Sequence, residues 1–255
     1  MTKDRRPHDE PRQSERRRRK AAFGSSRALK IMGERAVAVI GAGGHAIVVA
    51  STLIAAGHDV AGFYDDAPSS WGTSVLGIPV KGPISQFSAG GCSRAVLGIG
   101  DNAVRRTLAG RINVEWITIV HPFAWVHPEV SLGEGTVVCA GAVVQPGARI
   151  GRHVILNTRA SVDHHGGVGD YSHLAVAHLA GGASVGEGVF MALGSIVLPK
   201  LHVGDWATVG AGAVVTKDVD PGTTVVGIPA RPLVRPSAAV VDDADPHRRQ
   251  FTACG

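Results

Sequence analysis

Aromatic side chains are scarce in this chain: four Trp, two Tyr and six Phe among 255 residues. That scarcity argues against a core built on large rings. Thirty-four glycines and abundant valine point instead to a fold that turns often and packs small β-branched side chains. Cysteine is equally sparse. Cys92, Cys139 and Cys254 are odd in number and scattered, which indicates neither a disulfide framework nor a zinc knuckle. No apolar run approaches the roughly 18 residues of a membrane-spanning helix, and no charged-then-apolar signal opens the chain. A cytoplasmic protein without a membrane partner is expected.

The basic character is local. Residues 1–35 hold twelve Lys and Arg against five Asp and Glu, whereas the remaining residues hold fourteen against sixteen. The excess centres on Arg16, Arg17, Arg18, Arg19 and Lys20. A run of this kind can touch nucleic acid or an acidic membrane. A solvated disordered extension explains it more simply, and the body of the protein carries no nucleic-acid signal. Met32, just before the first strand, offers an alternative start.

Four segments follow from the pattern: a basic tail over 1–34, an α/β domain over 35–120, a repeat domain over 121–235 and a polar tail over 236–255. The α/β domain is a small Rossmann-like βαβαβ unit. Its expected strands are Ala36–Ile40, Val60–Tyr64, Arg94–Ile99 and about Val114–Val120, with a helix over Ala46–Ala56 and another containing Arg105 and Arg106.

From Val126 the periodicity changes. Positions 126, 132, 138, 144, 150, 156, 162, 168 and 174 are all aliphatic, and the series resumes at 185, 191, 197, 203, 209 and 215 with five Val and one Met. A strict period of six is the hexapeptide repeat of a left-handed parallel β-helix, in which three hexads make one 18-residue coil. Gly often follows the aliphatic, as at Gly133, Gly151, Gly169, Gly186 and Gly204, where it is expected to supply turn conformations. Leu174 and Val185 are eleven apart rather than twelve, so the register slips by one within Ala175–Ser184. The segment Val225–Arg231 is expected to cap the solenoid.

Hexapeptide solenoids mostly serve acyl transfer from a thioester, and transfer to an amine or hydroxyl would need a base near neutrality, for which histidine is the natural candidate. Asp163-His164-His165 sits in a Gly-rich turn, with His173 nine residues beyond His164. Nine residues are half a coil, so the two point to opposite sides of one prism. They can meet only across subunits, which predicts an oligomer. Taken alone, such a histidine is more often a satisfied turn residue. A zinc site from His164, His165, His173 and His178 is the competing reading, and no metal is expected because no acidic support accompanies it.

In the first domain, Gly41-Ala42-Gly43-Gly44-His45-Ala46 follows a strand, and Asp65 lies about 24 residues on. This formally matches a dinucleotide fingerprint. One half-unit leaves no place for a nicotinamide, and a nucleotide diphosphate sugar uses the same pyrophosphate contacts.

The ordered strings GAGGHA, FYDD, LGIGDN with Arg105, IVHPFAWVHPEVSLGEGTVV, ILNTRASVDHH, VGDYSHL, VGAGAVVTKDV and VVGIPARPL resemble one bacterial group. They are similar to the sialic acid O-acetyltransferase and nucleotide-sugar N-acetyltransferase family of hexapeptide enzymes, over about residues 36–234. The resemblance implies an acetyl-CoA-dependent enzyme acting on an amino or hydroxyl group of a sugar, and a homotrimer. It implies His164 as general base, His173 as an acetyl-CoA contact, and Leu193 and Ala211 along the CoA cleft. Gly43, Gly44 and His45 would hold the sugar nucleotide, with Asp65, Asp66 and Gly100 assisting. Where the family has an acid directly after the base, this chain has His165, so Asp163 or another carboxylate would have to supply the negative charge. Another acyl donor on a secondary-metabolite sugar, or a non-catalytic sugar-nucleotide scaffold, are the alternatives.

Overall fold

A computed structural model describes residues 36–233; both expected tails lie outside them. The first lobe is a six-stranded sheet in the order β3-β4-β2-β1-β5-β6. Its strands are β1 (Val37–Ile40), β2 (Val60–Tyr64), β3 (Ser74–Val75), β4 (Ile78–Gly82), β5 (Arg94–Leu97) and β6 (Glu115–Trp116). Helix α1 (Gly44–Ala55) and helix α2 (Asn102–Arg111) accompany them. All pairings are parallel except the β3–β4 hairpin.

That hairpin departs from the expected βαβαβ alternation. Leu76 and Gly77 both take positive φ (51° and 76°), so the chain reverses there instead of forming a crossover helix. The strand expected over Val114–Val120 is also two. Glu115 pairs with Arg94 in the first lobe, whereas Ile119 pairs with Val137 and begins the solenoid.

Close contact between α1 and the sheet depends on Gly98. A Cβ there would lie 2.7 Å from Val39 Cγ1 and 2.8 Å from Ala46 Cβ. Gly98→Ala must push α1 away from β1 and β5. We expect a loss of about 1–3 kcal/mol, the usual cost of overpacking, read by urea denaturation; unchanged stability would contradict this contact.

The second lobe is a left-handed β-helix of two-residue strands arranged in three sheets. Face one runs from Ile119–Val120 through Val137–Val138, Ile155–Leu156, His173–Leu174, Phe190–Met191 and Thr208–Val209 to Thr224–Val226. Face two runs from Trp125–Val126 to Val214–Val215, and face three from Arg149–Ile150 to His202–Val203. Within each strand the second residue points inward. From Val138 to Val215 the aliphatics at the repeat positions are at most 5% exposed, so the hexad series is the core. Thr224–Val226 adds a last rung and turns back antiparallel onto Arg231–Pro232.

The slip has a definite place. Leu156 pairs with Leu174 at a spacing of 18, but Val162 pairs with Leu179 at 17. The short hexad therefore lies between Leu174 and Leu179, and Leu179 is the inward residue that restores the series. Its corner residue, Val176, keeps the left-handed conformation (φ 52°) of the other corners.

The glycines after the aliphatics serve a different purpose from the one expected. None of Gly133, Gly151, Gly169, Gly186 and Gly204 has positive φ; that conformation falls two residues later, at Gly135, His153, Tyr171, Gly188 and Trp206. A Cβ on Gly204 would meet Pro221 N at 2.6 Å, and one on Gly169 would overlap the backbone of Gly186. These glycines let successive coils approach.

Candidate active site

The site residues expected from the sequence fall mainly into two separate constellations. The first is a corner between faces two and three. Its turn is closed by the Gly166 N–H donating to the Asp163 carbonyl at 3.0 Å. His165 occupies the left-handed corner position (φ 58°) and lies over Gly147 of the preceding coil. The His164 ring lies against Gly181 of the next coil, where any side chain would overlap its Nε2. Both histidines are exposed.

Their rings meet edge to face, with the two Nδ1 atoms 3.1 Å apart. One Nδ1–H is therefore shared between them. When His164 is the donor, its Nε2 carries a lone pair and is free to accept a proton. Asp163 acts elsewhere: its Oδ1 accepts the His164 backbone N–H at 2.7 Å. The partner of the His164 imidazole is thus His165.

The second constellation lies between the lobes. Gly41 has φ 104°, and a Cβ on it would meet Ile99 Cγ1 at 2.8 Å, so the loop after β1 requires glycine there. Asp65 fastens this loop. Its Oδ2 accepts the Ala42 N–H at 2.7 Å and its Oδ1 the Ala67 N–H at 2.8 Å. Asp66 accepts the Ile84 N–H at 2.9 Å. Around Gly43 and Gly44 the space is open, with nothing within 4 Å of an added Cβ. Helix α1 starts here without a side-chain cap, so its first amides are available to an anion. A crevice of about 440 Å³, lined by Asp65, Asp66, Ile84, Ile99, Val104 and Leu108 among others, opens beside the carboxyl ends of β2 and β5. Open α/β sheets take ligands at such a place.

His45 and His173 face one another under this loop, ring centroids 5.8 Å apart. His173 Nε2 is 3.1 Å from Asn157 Nδ2, and its Nδ1 is 3.4 Å from the Gly100 carbonyl. The amide can only donate and the carbonyl only accept, which assigns the proton to Nδ1. His164 stands at the corner opposite face one, to which His173 belongs, so within one chain the two stay apart. Leu193 is 62% exposed at the corner between faces one and two, with exposed Ala211 one coil above and Val176 one coil below.

The histidines between the lobes are neutral. Burial, then the Arg105 guanidinium, pushes His45 down to about 4, and the same two causes act first on His153 and His173, each at about 4. The unfolded chain binds protons near 6.5, which these folded sites refuse until about pH 4. Their contribution to stability is therefore full above pH 6.5 and lost as the pH falls towards 4. We expect the urea midpoint to drop steadily between pH 7 and about 4.5; a midpoint flat across that range would contradict it.

Sequence reasoning missed Asn157, His153 and Tyr171, and it noted Arg105 only as part of a motif. Asn157 stood in the quoted ILNTRAS string, but nothing local tied it to His173. Its partner is 16 residues away, near one full coil, so stacking the hexads two coils deep would have found it.

Comparison with known proteins agrees with both lobes. Residues 36–112 match the PglD N-terminal domain family. PerB from Caulobacter crescentus, in complex with CoA and GDP-perosamine, is 38% identical; the match covers 78% of this chain and 97% of PerB, with a TM-score of 0.74. The chain belongs to the hexapeptide-repeat nucleotide-sugar N-acetyltransferases. A second member of the family, the acetyltransferase domain of PglB from Neisseria gonorrhoeae, is 37% identical, with 78% of this chain and 100% of that domain covered and a TM-score of 0.73. Among curated proteins, the serine acetyltransferase of Salmonella typhimurium is 30% identical over 143 residues, 54% of this chain and 46% of its own length. The chain spans less than half the length of the curated relatives it matches. Among the described residues no helix is long and apolar enough to cross a membrane.

Proposed function

We propose that the protein transfers an acetyl group from acetyl-CoA to the amino group of a nucleotide-linked sugar. The observation that carries this reading is the His164 corner, a solvent-accessible imidazole whose Nδ1 is engaged by His165 and whose Nε2 is free. His164 Nε2 removes a proton as the amine attacks the thioester carbonyl. The tetrahedral intermediate then collapses, forming the amide and expelling the CoA thiolate, which His164 can reprotonate. Among the described residues no cysteine stands at the corner as a covalent nucleophile, which favours direct transfer in a ternary complex.

The acceptor's diphosphate rests on the amides of Gly43 and Gly44 and the start of α1, with His45 beside it. Asp65, Asp66 and Gly100 shape that loop and the adjoining crevice. Acetyl-CoA runs along the exposed Leu193–Ala211 corner, and His173 contacts the donor from its place beneath the nucleotide lobe. Because His164 and His173 lie on opposite sides of one prism, each site takes residues from two subunits. The assembly is a homotrimer.

Thiol release from acetyl-CoA tests the acceptor. Nucleotide-linked amino sugars should support turnover, while free serine and hydroxyl-only nucleotide sugars should not. Turnover with serine would contradict this reading, and an inert protein with every acceptor would favour a sugar-nucleotide-binding scaffold. Sedimentation should give a trimer, and a fully active monomer would exclude shared sites.

A further inference from the structure

Among the described residues Arg105 is the largest fully buried side chain, 1% exposed. It projects from α2 into the seam between the lobes, and every acceptor around it is neutral. Its Nε donates to the His153 carbonyl at 3.2 Å, and its Nη1 to the carbonyls of Ile99 (3.2 Å) and Gly100 (2.9 Å). Its Nη2 donates to Asn102 Oδ1 (2.8 Å) and to the carbonyls of Tyr171 (2.5 Å) and Ser172 (3.4 Å). Among the described residues no carboxylate hydrogen-bonds to it. Asp101, the acid nearest in sequence, points its Oδ1 at the Val104 N–H to cap α2 and acts on Arg105 only through space.

A buried guanidinium without a carboxylate is costly, because removing a charge from water is repaid here only by dipoles. Tethering the lobes does not require that cost. Asn102 already donates to the carbonyls of Gly188 (2.9 Å) and Val189 (3.2 Å), and Arg106 pairs with Glu187 at 3.2 Å. Two further features give the charge a purpose. It lies close enough to His45, in the first turn of α1, to depress that ring's proton affinity. It also holds the Gly100 carbonyl, which in turn accepts from His173.

We propose that Arg105 is a positioning residue for the acceptor: its charge, bonded to no carboxylate, draws a nucleoside diphosphate onto the Gly43–His45 turn while its fork fixes Gly100 and His173. The anionic ligand adds countercharge to the through-space attraction of Asp101. The proposal rests on the reading that this loop holds a diphosphate, and the test separates the two.

Titration calorimetry with GDP, UDP and dTDP on the full-length protein identifies the nucleotide that wild type binds. Arg105→Met is expected to weaken that nucleotide about tenfold or more, the order for losing one unit charge at short range in a protein environment. Its affinity for acetyl-CoA should fall by a smaller factor, because the donor loses only the ordering of His173. Arg105→Lys keeps the charge without the planar fork. It should recover most of the nucleotide affinity and leave KM for the acceptor near wild type, with kcat reduced. Should Arg105→Met fail to fold, Arg105→Gln, which retains an amide donor, is read in the same way. Undiminished nucleotide binding in the neutral variant overturns the proposal. An equal loss of nucleotide and acetyl-CoA binding does so too, since Arg105 would then be merely structural. Wild type that binds none of the three diphosphates overturns the loop reading itself.

Discussion

Replacing His164 by alanine is expected to lower kcat by about 10²–10⁴-fold, the range for losing a general base. Acetyl-CoA affinity should barely change, because the proposed donor contacts lie along the Leu193–Ala211 corner and at His173. The effect belongs to the chemical step, so the KM values should move little while kcat falls. His165 provides the control. Its ring is the partner of His164 Nδ1 at 3.1 Å, and its removal frees His164 to adopt either tautomer. His165→Ala should therefore cost less than His164→Ala but more than Asp163→Asn, whose carboxylate accepts only the His164 backbone N–H among the bonds described. If His165→Ala abolished turnover while His164→Ala spared it, the base would be the neighbouring residue.

The second large effect concerns the core. Leu174→Ala should destabilise the protein by about 2–5 kcal/mol, the cost of emptying a fully buried leucine site. Leu174 is 0% exposed and stacks between Leu156 and Met191, so its removal opens a hole facing two coils. It also begins the short hexad. Relaxation there is restricted, because one residue fewer connects Leu174 to Leu179 than joins any neighbouring pair of inward positions. A solenoid carries its stability through contacts between adjacent coils, and a weakened coil loosens both sides. Chemical denaturation measures the loss, and a change under about 1 kcal/mol would mean that the coils are not coupled through this stack.

The solenoid was legible because its signal is one-dimensional. An inward aliphatic every six residues depends on nothing distant, so counting alone recovered the inward residue of each strand from Val138 to Val215 apart from Leu179. Counting also found that one residue was missing, but not where. Ala175, Val176 and Ala177 are all small or apolar, and any of them fits an inward place; only the pairing of His178 with Ser161 decides. The glycines beside the aliphatics were read as turn formers because conformation is the local use of glycine. Their actual constraint, the next coil, lies 17 to 19 residues away along the chain.

The first lobe was less legible. A hairpin of two and five residues has too short a pattern to stand out between Tyr64 and Arg94. The candidate site divides in the same way. The turn at His164 and the loop at Gly43 declared themselves through local composition, and the resemblance supplied roles for both. Arg105 gave no sign of its burial, since an arginine on a helix is ordinarily a solvated residue. The carbonyls of Tyr171 and Ser172 that receive it belong to another lobe, 66 and 67 residues on.

The most direct test of the account follows both the protein and the product by mass spectrometry. Incubated with acetyl-CoA alone, the protein should remain unmodified. On addition of a nucleotide-linked amino sugar, the sugar should gain one acetyl group that resists hydroxylamine, as an amide does, with stoichiometric release of free CoA. A stable acetyl-enzyme before the acceptor is added, or a hydroxylamine-labile ester as the product, would contradict direct acetyl transfer to an amine by His164.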